Sequence, residues 1–189
     1  MVTIREEKLA DIAAREILLD KAYGATRFTK TSERLREGRL PADGLSLIAM
    51  DRGLLVGTIR LWNVSAGPGR AALLLGPLAV HPGHRNRGIG TALVRRAIAR
   101  ARLTHGAIIL VGDASYYGRF GFSAAATGEL WMPGRYDRGR LLALALQLGA
   151  LNGARGLIGA TGKPVPKPDL NLLIAANDGA ANTLVQRAA

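Results

Sequence analysis

No cysteine occurs in the 189 residues. That absence excludes a disulfide framework, a thiolate nucleophile and cysteine-based zinc or iron–sulfur sites. Aromatic residues are scarce at 5%, which is poor provision for the basic-aromatic interleaving of single-strand nucleic-acid binders. No apolar run reaches the roughly 18 residues of a membrane span. The opening MVTIREEKLADIAAREI is acidic within seven residues and lacks the basic-then-apolar form of a secretory signal. A cytoplasmic protein is the expectation. The last shortage is local: no acidic residue stands between Asp51 and Asp113, an interval holding nine arginines.

What is present fits one domain with a substantial core. Hydrophobic residues make up 48% and charged residues 21%, near the globular average. The net charge of +12 creates a positive potential that favours anionic ligands or partners. Three readings follow: nucleic acid, a cofactor with several phosphates, or simply solvated arginine-rich helix faces.

Along the chain, Val2–Arg5 reads as a short strand. Leu9, Ile12, Ala13, Ile17 and Leu18 recur at helical spacing over Leu9–Ala22, and Gly24 closes that helix. Thr31–Gly38 reads as a second, more polar helix. Leu45–Asp51 and Leu54–Val64 flank the hairpin turn Arg52-Gly53, and Ser65–Arg70 is a turn into the strand Ala71–Val80. Leu73–Val80 is apolar apart from Gly76 and Pro77, as in a strand covered on both faces. Pro77 predicts a local break there, because proline cannot donate to a ladder. Gly88–Arg102 is the clearest helix, with Leu93, Val94, Ala97, Ile98 and Ala101 on one stripe. The strand Ala107–Val111 follows it and runs parallel to the strand before the helix. Tyr116–Phe122 is a compact aromatic turn, and Gly128–Met132 and Leu141–Leu148 are strand-like. Lys163-Pro-Val-Pro-Lys-Pro reads as an extended arm. A short helix is expected within Leu170–Ala189.

The segment Val80-His-Pro-Gly-His-Arg-Asn-Arg-Gly-Ile-Gly-Thr-Ala-Leu93 joins the apolar strand to the amphipathic helix. Gly88 and Gly90 let the backbone approach a ligand. The free amides and dipole of the first helical turn then make an anion site, to which Arg85 and Arg87 add charge. The chemistry asks for phosphate or pyrophosphate. No lysine follows the glycines, so the P-loop pattern fails, and Leu93 replaces the third glycine of the dinucleotide fingerprint.

Arg85-Asn-Arg-Gly-Ile-Gly90 resembles the Q/R-x-x-G-x-G/A signature of the GNAT superfamily, in the order strand, V-x-P, loop and helix. Val111-Gly-Asp-Ala-Ser-Tyr-Tyr-Gly-Arg-Phe-Gly-Phe122 is similar to the Tyr-x-x-Phe-Gly-Phe segment of many such enzymes. With the later Leu-Trp-Met-Pro-Gly and Leu-Gly-Ala-Leu-Asn-Gly stretches, the likeness is to the YhbS-like branch of N-acetyltransferases. It spans residues 2–162, implying an acetyltransferase domain over 1–162 and a proline-rich extension over 163–189. The implied fold is mixed α/β, a splayed, mostly antiparallel sheet with helices on both faces.

The resemblance further implies direct transfer of acetyl from acetyl-CoA to a primary amine, without an acyl-enzyme and without a metal. Leu78, Ala79 and Val80 would hold the pantetheine arm, with the Val80 amide as oxyanion donor. Arg85, Asn86, Arg87, Gly88, Ile89, Gly90 and Thr91 would clamp the pyrophosphate. Tyr117 would be the general acid, since a phenol of pKa about 10 stays protonated at neutral pH. Tyr116 is its packing neighbour, although a one-residue shift exchanges the two. No general base announces itself: Ala71–Val80 has no carboxylate, His81 and His84 stand at variable positions, and Asp113 reads equally as a cap. A water relay is the default. The acceptor, a small-molecule or peptide amine, is expected among the first two helices, the Asn63–Arg70 turn and the C-terminal strands, none of which has a telling charge pattern. Two other readings are an aminoacyl-tRNA-acetylating toxin and a non-catalytic acyl-CoA sensor. The protein is a monomer or homodimer on this reading.

Overall fold

Strands β1 (Thr3–Glu6), β2 (Ser46–Asp51), β3 (Leu54–Ala66), β4 (Ala71–Val80), β5 (Ala107–Val111) and β7 (Leu141–Ala145) form one sheet in that order. The computed structural model describes residues 1–166. Every pairing along this path is antiparallel except β4 with β5. The parallel pair is connected by helix α2 (Ile89–Ala101), as a parallel crossover requires. The sheet is mixed, open and mostly antiparallel.

The strands alternate between two cores. Leu73, Leu75, Ile108, Leu110 and Leu142 face α2, whose buried stripe is Leu93, Val94, Ala97, Ile98 and Ala101. Ala72, Leu74, Ala107, Ile109 and Ala143 face the other side. There helix α1 (Ile12–Tyr23) packs Leu18 and Leu19 against Ala79 and Leu55. Helices therefore cover both faces.

The break expected at Pro77 is a bulge in β4. Leu75 pairs with Leu61 and Leu78 with Ile59, so β4 has one residue more than β3 between these pairs. The side-chain parity flips there: odd residues 73 and 75 face α2 before the bulge, even residues 78 and 80 after it. Beside the bulge the sheet splays. β4 pairs with β5 only at Leu73–Ile108 and Leu74–Ile109, so the rest of β4 presents an open edge.

The first helix departs from the expected stripe. Leu9–Asp11 is a separate 3₁₀ turn, and Leu9 and Ile17 are exposed while Arg15 is buried with Leu18 and Leu19. An ion pair takes the place of the apolar contact. Arg15 Nη1 bonds Glu7 Oε1, and Arg60 Nε bonds Glu7 Oε2 at 3.0 Å. The Arg15 and Glu7 side chains are only 6% and 4% exposed. Replacing Glu7 by Gln removes the anion that Arg15 and Arg60 share, leaving Arg15 to Glu16 alone and the partly buried Arg60 without a carboxylate. Urea denaturation of Glu7→Gln should show a loss of about 3 kcal/mol, and an unchanged midpoint would contradict this role.

The second helix expected over Thr31–Gly38 is only a 3₁₀ turn, Thr31–Leu35, preceded by another, Ala25–Thr29, across an extended Lys30 (φ −68°, ψ 137°). Later, β6 is only Leu130–Trp131. Strand β8 (Gly156–Ala160), absent from the sequence reading, pairs with the end of β3 and in parallel with β6. The first residues of the proline-rich run lie along the domain: Leu40 donates to Lys163 O at 2.8 Å and Val165 donates to Gly38 O at 2.9 Å. The helix expected in Leu170–Ala189 lies outside the described residues. No described helix is long and apolar enough to cross a membrane.

Candidate active site

The loop after β4 turns on a short 3₁₀ segment, Pro82–His84, and delivers Gly88 at φ +74° as the cap of α2. The first helical bond runs from Ala92 N–H to Gly88 O at 2.9 Å, so the amides of Ile89, Gly90 and Thr91 precede the ladder. They border a cavity of about 510 Å³ lined by Val80, Arg85, Asn86, Gly88, Tyr116 and Arg119, among others. No carboxylate among the described residues lines it. Open amides, a helix dipole and two guanidiniums together suit a multiply charged anion. Gly90 is needed for its size: a Cβ there would lie 3.0 Å from Tyr116 Oη and 3.6 Å from Val80 Cγ2.

Of the residues expected to hold pyrophosphate, six line this cavity: Arg85, Asn86, Gly88, Ile89, Gly90 and Thr91. Arg87 points elsewhere, with Nη1 3.3 Å from Asp51 Oδ2. Arg119 was not anticipated. It lies three residues after Tyr116 and stacks its guanidinium 4.8 Å from that ring's centroid.

The open edge of β4 borders a second, smaller cavity of about 100 Å³, whose lining includes Leu75, Gly76, Pro77, Leu78, Tyr23 and Tyr117. His81 N–H donates to Val56 O at 2.8 Å. By the alternation of an antiparallel ladder, Ala79 also faces β3, while the N–H and C=O groups of Leu78 and Val80 face the splay. The Leu78 carbonyl accepts a hydrogen bond from the Tyr23 phenol across that gap. Tyr23 too was missed, because it ends a helix whose visible pattern pointed to other positions.

The adjacent tyrosines separate. Residues Ala114–Tyr117 form the single helical turn α3, capped by Asp113, whose Oδ1 accepts from Ser115 N–H at 2.8 Å. Hydrogen bonding from the Ser115 hydroxyl, then from its amide, holds the Asp113 carboxyl below its ordinary pKa. Successive residues on a helix diverge by about 100°. Tyr116 therefore reaches the first cavity and Tyr117 the second. Tyr117 is fixed by edge contacts with Tyr116 and Phe122, and by Gly112, where a Cβ would lie 2.4 Å from its ring. Burial, reinforced by Tyr23 and Tyr116, pushes the Tyr117 phenol well above its ordinary pKa.

Neither histidine reaches this second cavity. His81 Nδ1 accepts from Gly83 N–H at 3.2 Å, and His84 Nε2 lies 3.5 Å from Asp51 Oδ2. Among the described residues, Leu75–Leu78, Val111 and Tyr117 have no carboxylate or histidine beside them in the cavity lining. The Asn63–Arg70 segment is not in the lining either, because β8 pairs along Val64–Ala66.

Comparison with known proteins bears on the fold and the enzyme class. Residues 42–124 match the acetyltransferase (GNAT) domain. The chain is 29% identical over 160 residues to the uncharacterized N-acetyltransferase YhbS of Escherichia coli K12, covering 82% of this chain and 93% of that protein. The chain contains a GNAT acetyltransferase domain. The crystal structure of Escherichia coli YhbS in complex with CoA superposes with a TM-score of 0.72 at 28% identity, over 84% of this acetyltransferase and 89% of YhbS. A GNAT-family acetyltransferase from Brucella melitensis in complex with acetyl-CoA gives a TM-score of 0.58 at 26% identity, over 89% and 94% of the two chains. The fold and the enzyme class of this acetyltransferase are those of its relatives.

Proposed function

We propose that the enzyme transfers acetyl from acetyl-CoA to an amine by direct attack, with Tyr117 as the proton donor to sulfur. The observation that carries this reading is the junction at the end of β4. There the anion cavity on α2 and the splayed edge meet at Val80, and Tyr117 stands on the splay side. Acetyl-CoA has the matching form, a pyrophosphate joined to an amide-bearing arm. The arm lies along Leu78–Val80 as an added strand, and the Val80 amide polarises the thioester carbonyl. The acceptor nitrogen forms a bond to the acetyl carbon as the C–S bond breaks. The departing thiolate takes the Tyr117 proton, the nitrogen gives one proton to water, and solvent restores the phenol.

The amine must be neutral to attack. Among the described residues no histidine or carboxylate lines the cavity around Tyr117, so water accepts the proton and the acceptor's own ionisation governs the rate. The groups facing Tyr117 are Tyr23, Tyr116 and the cation Arg140, with Lys30, Arg27 and Arg36 lining the same cavity. Raising a phenol's pKa prolongs its protonated form toward alkaline pH. The kcat/KM profile should therefore rise with the acceptor's deprotonation and show no descending limb below about pH 10. A free-thiol release assay over an amine panel tests the activity itself. Acetyl-CoA-dependent thiol release with stoichiometric N-acetyl product is the expected result; binding of acetyl-CoA without turnover of any amine favours the sensor reading.

A further inference from the structure

Beyond Tyr117 the splay opens into a wider cavity of about 410 Å³, continuous with the smaller one through the shared residues Lys30, Ser32 and Val111. Its charges are one-sided. Lys30, Arg135 and Arg140 line it, and Arg27 and Arg36 line the shared inner part. Arg27 and Arg36 already have carboxylates, Glu16 and Asp20 for the first and Glu33 for the second. Lys30, Arg135 and Arg140 form no ion pair among the described residues: Lys30 Nζ sits 4.1 Å from the Tyr23 ring centroid, and Arg140 Nε reaches only the Gly112 carbonyl at 3.4 Å.

Among the described residues the single carboxylate in the lining is Asp137, whose Oδ1 is engaged by Gly139 N–H at 2.9 Å. Ser32 Oγ accepts from Arg36 Nη2 at 3.1 Å, leaving its own proton to donate. Burial, then the neighbouring cations Arg36 and Arg140, lowers the Lys30 ammonium's pKa, the sign of a site that lacks an anion. A cationic amine approaching Tyr117 from this side meets repulsion; a group of opposite charge meets unpaired donors.

Resting on the acetyl-transfer reading above, we infer that the acceptor is a small amine bearing a carboxylate or phosphate, held by Lys30, Arg135 and Arg140 with its nitrogen toward Tyr117. The three cations are exposed but border one cavity of about 410 Å³, a volume that suits a small molecule rather than a nucleic-acid backbone.

The test compares matched acceptors in the thiol-release assay: amino acids against their carboxamides and decarboxylated amines, and O-phosphorylated amino alcohols against the free alcohols. Acceptors with an anion should exceed their neutral partners in kcat/KM by at least about 10-fold, the size of one charge-assisted contact. Whether the carboxylate or the phosphate series leads identifies the anion. Lys30→Gln and Arg135→Gln should each raise KM for the anionic acceptor by a similar factor and leave KM for acetyl-CoA unchanged, with Lys30→Arg restoring most of the loss. Equal rates for neutral and anionic amines overturn the inference, as does acetylation confined to aminoacylated RNA or peptides. If acetyl-CoA fails to bind at all, acetyl transfer itself is refuted. The cavity is then judged by calorimetric titration of the anionic amine alone: binding weakened by Lys30→Gln supports the anion site, and no binding removes it.

Discussion

Tyr117→Phe should reduce kcat by about 100-fold, the lower end of the contribution of a positioned acid, while acetyl-CoA affinity stays unchanged. Phenylalanine keeps the ring that packs on Phe122 and Gly112 and removes only the hydroxyl that carries the proton. No neighbour replaces it readily. The Tyr23 phenol donates to the Leu78 carbonyl, and Tyr116 borders the other cavity. Tyr116→Phe is accordingly the contrast: its Oη lies over Gly90 at the anion site, so its effect should fall on KM for acetyl-CoA and not on kcat. If the two variants exchange these behaviours, the acid is Tyr116. If Tyr117→Phe turns over like the wild type, proton donation by this residue is excluded.

The second large effect belongs to Gly90. A Cβ at this position already meets Tyr116 Oη at 3.0 Å and Val80 Cγ2 at 3.6 Å. The two further methyls of valine occupy the mouth of the cavity above the free amides of α2. Gly90→Val should therefore weaken acetyl-CoA by at least about 100-fold, or roughly 2.7 kcal/mol. Valine is no worse than glycine in a helix interior, so the thermal midpoint should hold and a folding defect can be separated from a binding defect. Unchanged affinity in calorimetry would place the pyrophosphate elsewhere.

Much of this site is written locally. The strand Ala71–Val80, the glycines at 88 and 90 and the stripe of α2 all lie within one continuous stretch, so their periodicity and turn chemistry state the unit directly. Ala71–Val80 and Ala107–Val111 have the same bounds in the structure as in the sequence reading. Pro77 even announced the bulge that ends the β4–β5 pairing. What escaped is what only tertiary contact decides. Arg15 is buried because Glu7 and Arg60, from two other elements, supply its partners. The stripe through Leu9, Ile12 and Ile17 carried no trace of that. Strand β8 was hidden by its composition, Gly-Leu-Ile-Gly-Ala, since glycine and alanine are weak strand formers. It exists because β3 leaves an edge at Val64–Ala66 for it to pair with.

The proposed acceptor side shows the same limit more sharply. Lys30 lies in the extended break between two 3₁₀ turns, and Arg135 and Arg140 lie about a hundred residues later in a loop before β7. Each segment alone looks like ordinary basic surface. The fold brings them to one cavity, with the nearest carboxylate already used as a cap. Arg87 illustrates the converse: in sequence it belongs to the phosphate loop, yet Asp51 from the β2–β3 hairpin draws its guanidinium away.

The most direct measurement of the whole account is calorimetric titration of acetyl-CoA into the full-length protein. Saturable one-to-one binding, displaced by CoA and weakened as ionic strength rises, is the predicted result. No heat of binding, with no rise in the thermal midpoint at saturating acetyl-CoA, would contradict the assignment of the β4–α2 junction as the cofactor site.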